Sequence, residues 1–144
     1  MQTKIKKFSE LTLEQYHRLL KTRIAVFVVE QACAYQEVDD IDLTATHFWF
    51  ENDQEEIVAY ARIYSDEQAI HFGRVLVSKK ERGKGLAKSL IQQVTEWIQL
   101  QFPGKKIHIE AQTYLRYFYA SFGFTVISEE YLEDGIPHID MGKY

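Results

Sequence analysis

The sequence is short of cysteine, proline, glycine and long apolar runs, and each shortage removes a class of protein. One cysteine in 144 residues, Cys33, leaves no intrachain disulfide and no multi-cysteine zinc site. Two prolines and 7 glycines argue against collagen-like or low-complexity chain. No apolar stretch approaches the ~20 residues of a membrane span. Near the N-terminus the chain turns polar again at Ser9, where a signal peptide needs its apolar core. Positive charge is not in excess either: 17 basic against 21 acidic side chains give a net charge of -4, which argues against a dedicated nucleic-acid binder. The expectation is a cytoplasmic protein with neither a membrane nor a nucleic acid as partner.

What remains is a globular composition, 46% hydrophobic and 14% aromatic, on a chain of single-domain length, so residues 1–144 are read as one domain. Residues Lys4 to Phe8 suggest a first strand. Thr12 is an N-cap, and Gln15 three positions later completes a capping box. Leu13, Tyr16, Leu20, Ile24, Phe27 and Val28 then form an apolar stripe that predicts a helix to about Glu30. From Gln31 to Thr46 there is no period, only a loop containing the acidic run Glu37-Val38-Asp39-Asp40-Ile41-Asp42. Three strands follow, over Thr46–Glu51, Glu56–Tyr64 and Ala69–Val77. A basic turn, Ser78 to Gly85, leads into a helix whose apolar face is Leu86, Leu90, Ile91, Val94, Trp97 and Ile98. After the Pro103-Gly104 stop come a strand over Lys106–Ala111, a helix over Thr113–Phe122 capped by Gly123, and two closing strands. These last span Phe124–Ile127 and Ile136–Met141, around the Glu133-Asp134-Gly135 turn. The order predicts an α/β (α+β) fold: a mixed sheet of six to seven strands with helices on both faces.

The basic turn carries the chemistry. Gly83 and Gly85 stand where a strand passes into a helix, so unpaired backbone N–H groups and the helix dipole both favour an anion. The string lacks the Walker A pattern, and Lys88 occupies the third glycine position of a dinucleotide fingerprint. A pyrophosphate-bearing ligand of another kind is left, beside the plain alternative of a solvated turn.

The surrounding residues resemble a known family. Val75-Leu76-Val77 followed by Arg82-Gly83-Lys84-Gly85-Leu86-Ala87 is similar to motif A of the GNAT acetyltransferases, and Phe118-Tyr119-Ala120-Ser121-Phe122-Gly123-Phe124 to their second signature. Ala25–Gln31, Gly73-Arg74-Val75, Ala111–Leu115 and Tyr131–His138 resemble the ElaA-like branch. The resemblance implies a splayed sheet with acetyl-CoA between the fourth and fifth strands. Val75 and Val77 would hold the pantetheine arm through their main chains, with Leu76 between them, and Arg82 through Ala87 the pyrophosphate. Relatives place an asparagine at the position of Gln112, whose longer amide can still donate and accept. Tyr119 occupies the position of the general acid that protonates the leaving thiolate. Dimers are common among such proteins, so a homodimer is left open.

In the reaction so implied, a small-molecule or peptide amine attacks the thioester directly, in a ternary complex. An amine of pKa ~10.4 is mostly protonated at neutrality, which calls for a base. Glu30, His47 and Glu110 are the candidates, with His108 beside Glu110 on the same strand. The acidic run serves either to steer a cationic amine or as a solvated loop. It fails the calcium-loop spacing and the five histidines form no zinc motif, so no metal is expected. A CoA-binding module without acceptor chemistry is the alternative to an enzyme.

Overall fold

Thr12 caps the first helix as its spacing predicts. In the computed structural model, which describes residues 1–144, Thr12 Oγ1 accepts the Gln15 N–H while Gln15 Oε1 accepts the Thr12 N–H, both at 3.0 Å. Helix α1 (Leu13–Ile24) begins there but does not run to Glu30 as an α-helix. Ala25–Glu30 winds as a π-helix, in which the N–H groups of Gln31 and Cys33 bond the carbonyls of Val26 and Val28, five residues back. The buried face is also displaced from the predicted stripe. Leu19, Arg23, Val26 and Phe27 point inward, whereas Leu13 is 92% exposed.

A short helix α2 (Ile41–Thr44) leads into the sheet, where strands β1 (Gln2–Lys7), β2 (Thr46–Glu51), β3 (Ile57–Ser65) and β4 (Ile70–Val77) pair antiparallel in that order. Helix α3 (Leu86–Gln101) crosses over to β5 (Ile107–Gln112), which pairs parallel to β4. Strand β8 (Ile136–Lys143) lies antiparallel to β5 and also holds β6 (Thr125–Val126) and β7 (Tyr131–Glu133). The sheet therefore has eight strands, one more than predicted. Strand β7 is the addition: Asp134 and Gly135, both at positive φ, close it into a tight hairpin with β8. The helix predicted over Thr113–Phe122 is shorter, a 3-10 turn at Thr113–Leu115 and α4 (Arg116–Ala120), and Gly123 ends it at φ +91.

Apolar side chains of alternating parity bury the two faces separately. On one face α3 sends Leu90, Ile91, Val94 and Ile98 against Phe48, Ile63, Phe72, Ile107 and Ile109. On the other, α1 and the π-helix cover Trp49, Tyr60 and Leu76 with Leu19, Val26 and Phe27. Helices thus flank both faces, as expected. On β5 the alternation buries Ile107, Ile109 and Ala111 and turns His108, Glu110 and Gln112 to the opposite side. No helix is long and apolar enough to cross a membrane.

Candidate active site

Strands β4 and β5 are in register only at Ile70–Ile107 and His71–His108, and then diverge. On the other side of β4 the ladder with β3 is interrupted: Arg62 faces Gly73 and Tyr60 faces Leu76, so Arg74 and Val75 share the single residue Ala61. Arg74 sits at φ +52, a conformation disfavoured for any residue but glycine. Its side chain is clamped. Nε lies 2.7 Å from Glu37 Oε2, Nη2 donates to the Glu37 carbonyl at 2.9 Å, and the guanidinium lies 5.4 Å from the Tyr35 ring centre. A bulge beside a splay opens a cleft of about 880 Å³ between the two strands. Beyond His71 the facing edges of β4 and β5 have no strand partner across the gap. Backbone N–H and C=O groups on such edges need partners, and an extended ligand with amides of its own can supply them. Gly73, a glycine inside a strand pattern, was the available sequence signal for the bulge.

The basic turn forms one end of this cleft. Gly83 and Gly85 adopt φ +79 and +77, and a Cβ on either would meet no atom within 4 Å. Glycine is needed there for the left-handed backbone rather than for space. Gly85 caps α3 without a side chain, so the first-turn N–H groups of a 16-residue helix stay open to an anion. Arg82, Gly83, Gly85, Leu86 and Ala87 line the cleft together with Val75, Leu76, Val77 and Gln112. Lys84 does not; its Nζ lies 2.9 Å from Glu81. These donors and open edges suit a phosphorylated ligand with an amide-bearing arm.

The three base candidates part company. Glu30 accepts from both Nη atoms of Arg82, at 2.6 and 3.0 Å, and that guanidinium holds its carboxyl below the usual range. It lines the cleft, but it is tied to the glycine turn through that ion pair. His47 is fully buried and is not among the cleft-lining residues. Its Nε2 donates to the Asp42 carbonyl at 3.0 Å, and Tyr60 donates its hydroxyl to Nδ1 at 2.6 Å. Burial lowers its pKa, both ring nitrogens are engaged, and the structure does not bring it together with the cleft residues. Glu110 does line the cleft and has neither a hydrogen-bond nor an ion-pair partner of its own. Although Glu110 stays exposed to the cleft, partial loss of solvent around it, then Glu133 and Asp140 nearby, raise its pKa above the ordinary carboxylate value.

Tyr119 also lines the cleft, 5% exposed, with Phe72, Phe118 and Phe124 around its ring and no hydrogen-bond partner for its hydroxyl. Burial pushes the phenol well above its ordinary pKa.

The acidic run is neither a steering patch nor a solvated loop, which corrects both expectations. Glu37 and Asp42 are buried against Arg23, itself without exposure, and Asp42 and Asp39 both bind Arg62. The run pins residues 31–46 to the sheet and delivers Glu37 to Arg74.

Known proteins share this sequence pattern and fold. A sequence model of the "Acetyltransferase (GNAT) domain" matches residues 10–144. Protein ElaA of Escherichia coli (strain K12) is 43% identical over 141 residues, covering 94% of this chain and 91% of that protein. A UPF0039 protein of Schizosaccharomyces pombe (strain 972 / ATCC 24843) is 40% identical, covering 94% and 92% of the two chains. The crystal structure of Escherichia coli ElaA superposes with a TM-score of 0.95 at 40% identity. That of an acyl-CoA N-acyltransferase from Pseudomonas aeruginosa does so at 0.94 and 34%, each over 100% of both chains. The sequence match and the superposition agree, and the chain belongs to the GNAT family of acetyltransferases, on its ElaA-like branch.

Proposed function

We propose that this acyltransferase moves an acetyl group from acetyl-CoA to a primary amine by direct attack in a ternary complex. The arrangement that supports it is the open edge of β4 running from the Gly83–Gly85 turn toward Tyr119, whose ring is buried and whose hydroxyl has no partner, with Glu110 also lining the cleft. Acetyl-CoA supplies the activated acyl group. The main chain at Val75 and Val77 orients its arm, the Arg82–Ala87 turn and Gln112 hold it, and the raised pKa suits Glu110 to take a proton from the incoming ammonium. Tyr119 donates its hydroxyl hydrogen toward the departing sulfur. Of the two protons the ammonium loses, one reaches Glu110 and the other balances the free thiol.

The pH dependence tests the base. A wild-type chain acting on the ammonium form shows a flat kcat/KM between the pKa of Glu110 and that of the amine. Activity falls as pH drops through the Glu110 pKa, above the usual carboxylate range. In Glu110→Gln only free amine reacts, so kcat/KM climbs about tenfold per pH unit toward the amine pKa of ~10.4 and is lower by about 100-fold at neutrality. Thiol release from acetyl-CoA with an excess of amine reads both profiles; identical profiles remove Glu110 from the mechanism.

A further inference from the structure

Each arginine along the cleft already has its carboxylate. Arg62 binds Asp39 and Asp42, Arg74 binds Glu37 and Asp39, and Arg82 binds Glu30. The converse does not hold. On the wall built from β5, β7 and β8, Glu110 and Glu133 line the cleft with no arginine or lysine paired to either. Asp140 stands opposite Glu110 in register and accepts the Tyr131 hydroxyl. The only basic groups that line the cleft from this wall are imidazoles. His108 Nε2 lies 3.1 Å from Asp140, and His138 Nε2 lies 3.7 Å from Glu133 while its Nδ1 faces the Ile136 carbonyl at 2.7 Å. A ligand site is indicated here independently of these charges, because the 5%-exposed Tyr119 lines the same cleft with an unpartnered hydroxyl.

Spacing and surface narrow the ligand further. Glu110 and His138 are diagonal neighbours across β5 and β8, ~7–8 Å apart, and Glu133 adjoins His138. A ligand with two cations joined by a short alkyl chain would meet both carboxylates on this one wall. At the other end of β5, on the far side of Glu110 from His138, Tyr64 stacks on His71 and His71 packs on His108, each with centroids 5.0 Å apart, all three lining the cleft. A carboxylate on the acceptor would meet the unpaired Glu110, then Glu133 with only an imidazole beside it, and no free arginine or lysine.

We infer that the acceptor is an alkyl diamine, its reacting nitrogen at Glu110 and its second ammonium at Glu133. The inference rests on the amine-acetylation reading above. Glu133 on this account is a specificity residue, set on a hairpin whose turn faces solvent, so the fold does not depend on it.

Three acceptors of equal chain length decide the matter: 1,4-diaminobutane, 1-aminobutane and 4-aminobutanoate, each with acetyl-CoA and thiol release as the readout. The expected kcat/KM for the diamine is at least tenfold that of the monoamine, with 4-aminobutanoate the poorest. Glu133→Gln is expected to cut the diamine-to-monoamine ratio at least fivefold. In parallel, the diamine raises the melting temperature of the CoA-saturated protein more than the monoamine does. Equal rates for diamine and monoamine, a preference for 4-aminobutanoate, or a ratio unmoved by Glu133→Gln overturns the inference while leaving amine acetylation standing. No thiol release with any of the three, from a protein that acetyl-CoA stabilises, removes the amine reading and this inference together.

Discussion

Asp42→Ala is expected to lower the stability of the fold by about 3–5 kcal/mol, the usual effect of removing one partner from a buried ion pair. Asp42 Oδ1 accepts from Arg23 Nη1 at 2.8 Å and from Arg62 Nη1 at 2.9 Å, and Oδ2 accepts from the Tyr16 hydroxyl at 2.8 Å. Both guanidinium groups are shut away from water, so truncation leaves buried positive charge that Glu37 and Asp39 only partly offset. Urea unfolding of the two chains reads the difference, and a loss under about 1 kcal/mol, the range of an exposed pair, contradicts the role given to the network. The same network sets the acid limit. Burial alone would raise the Asp42 pKa, but Arg23, Tyr16 and Arg62 together bring it below the ordinary value, and Arg62 and Arg74 do the same for Asp39. With folded pKa values below the unfolded ~3.9, their contribution is complete above about pH 4 and is lost as pH falls through the folded values.

Tyr119→Phe is expected to lower kcat by about 100-fold or more, the range for a missing general acid. Stability should be held or slightly raised, because the hydroxyl has no partner to lose and the ring keeps its aromatic neighbours. Burial keeps the phenol protonated over the whole assay range. Transfer from a phenol of pKa above ~10 to a thiolate of ~8.5 is uphill by about 2 kcal/mol in water. The apolar surroundings that raise the phenol raise a buried thiol as well, which narrows that gap, and a hydrogen bond to the developing thiolate helps before any transfer is complete. A variant that turns over like wild type at every pH takes Tyr119 out of the chemistry.

These predictions differ in how far the sequence alone could have led to them. The capping box at Thr12, the α3 face and the strand alternation on β5 were legible because each is a local pattern of side chains. The glycine turn was legible for the same reason, since positive φ and an open helix end are written in a few adjacent residues. The buried network was not. Arg23 pairs with residues 14 and 19 positions away, and a charged side chain at zero exposure violates the apolar periodicity that located the helix face. That is why the predicted stripe fell on exposed Leu13 instead of Leu19 and Arg23. The surroundings of Glu30 and His47 were hidden for a related reason: residue type suggested proton transfer, whereas their partners, Arg82 and Tyr60, come from distant strands and turns. Glu133 was visible only as part of a turn, because its place beside His138 depends on the β7–β8 hairpin.

The central claim is that the splay and the glycine turn hold acetyl-CoA, and thermal melting with and without it tests that most directly. At 100 times its dissociation constant, a ligand confined to the folded state stabilises it by about 2.7 kcal/mol. In a domain of this size that is a rise of about 5–10 °C. The account predicts this rise with acetyl-CoA and with CoA, none of comparable size with ATP, and its loss in Gly85→Val, where a β-branched residue must take a positive φ. An unchanged melting temperature at saturating acetyl-CoA contradicts it.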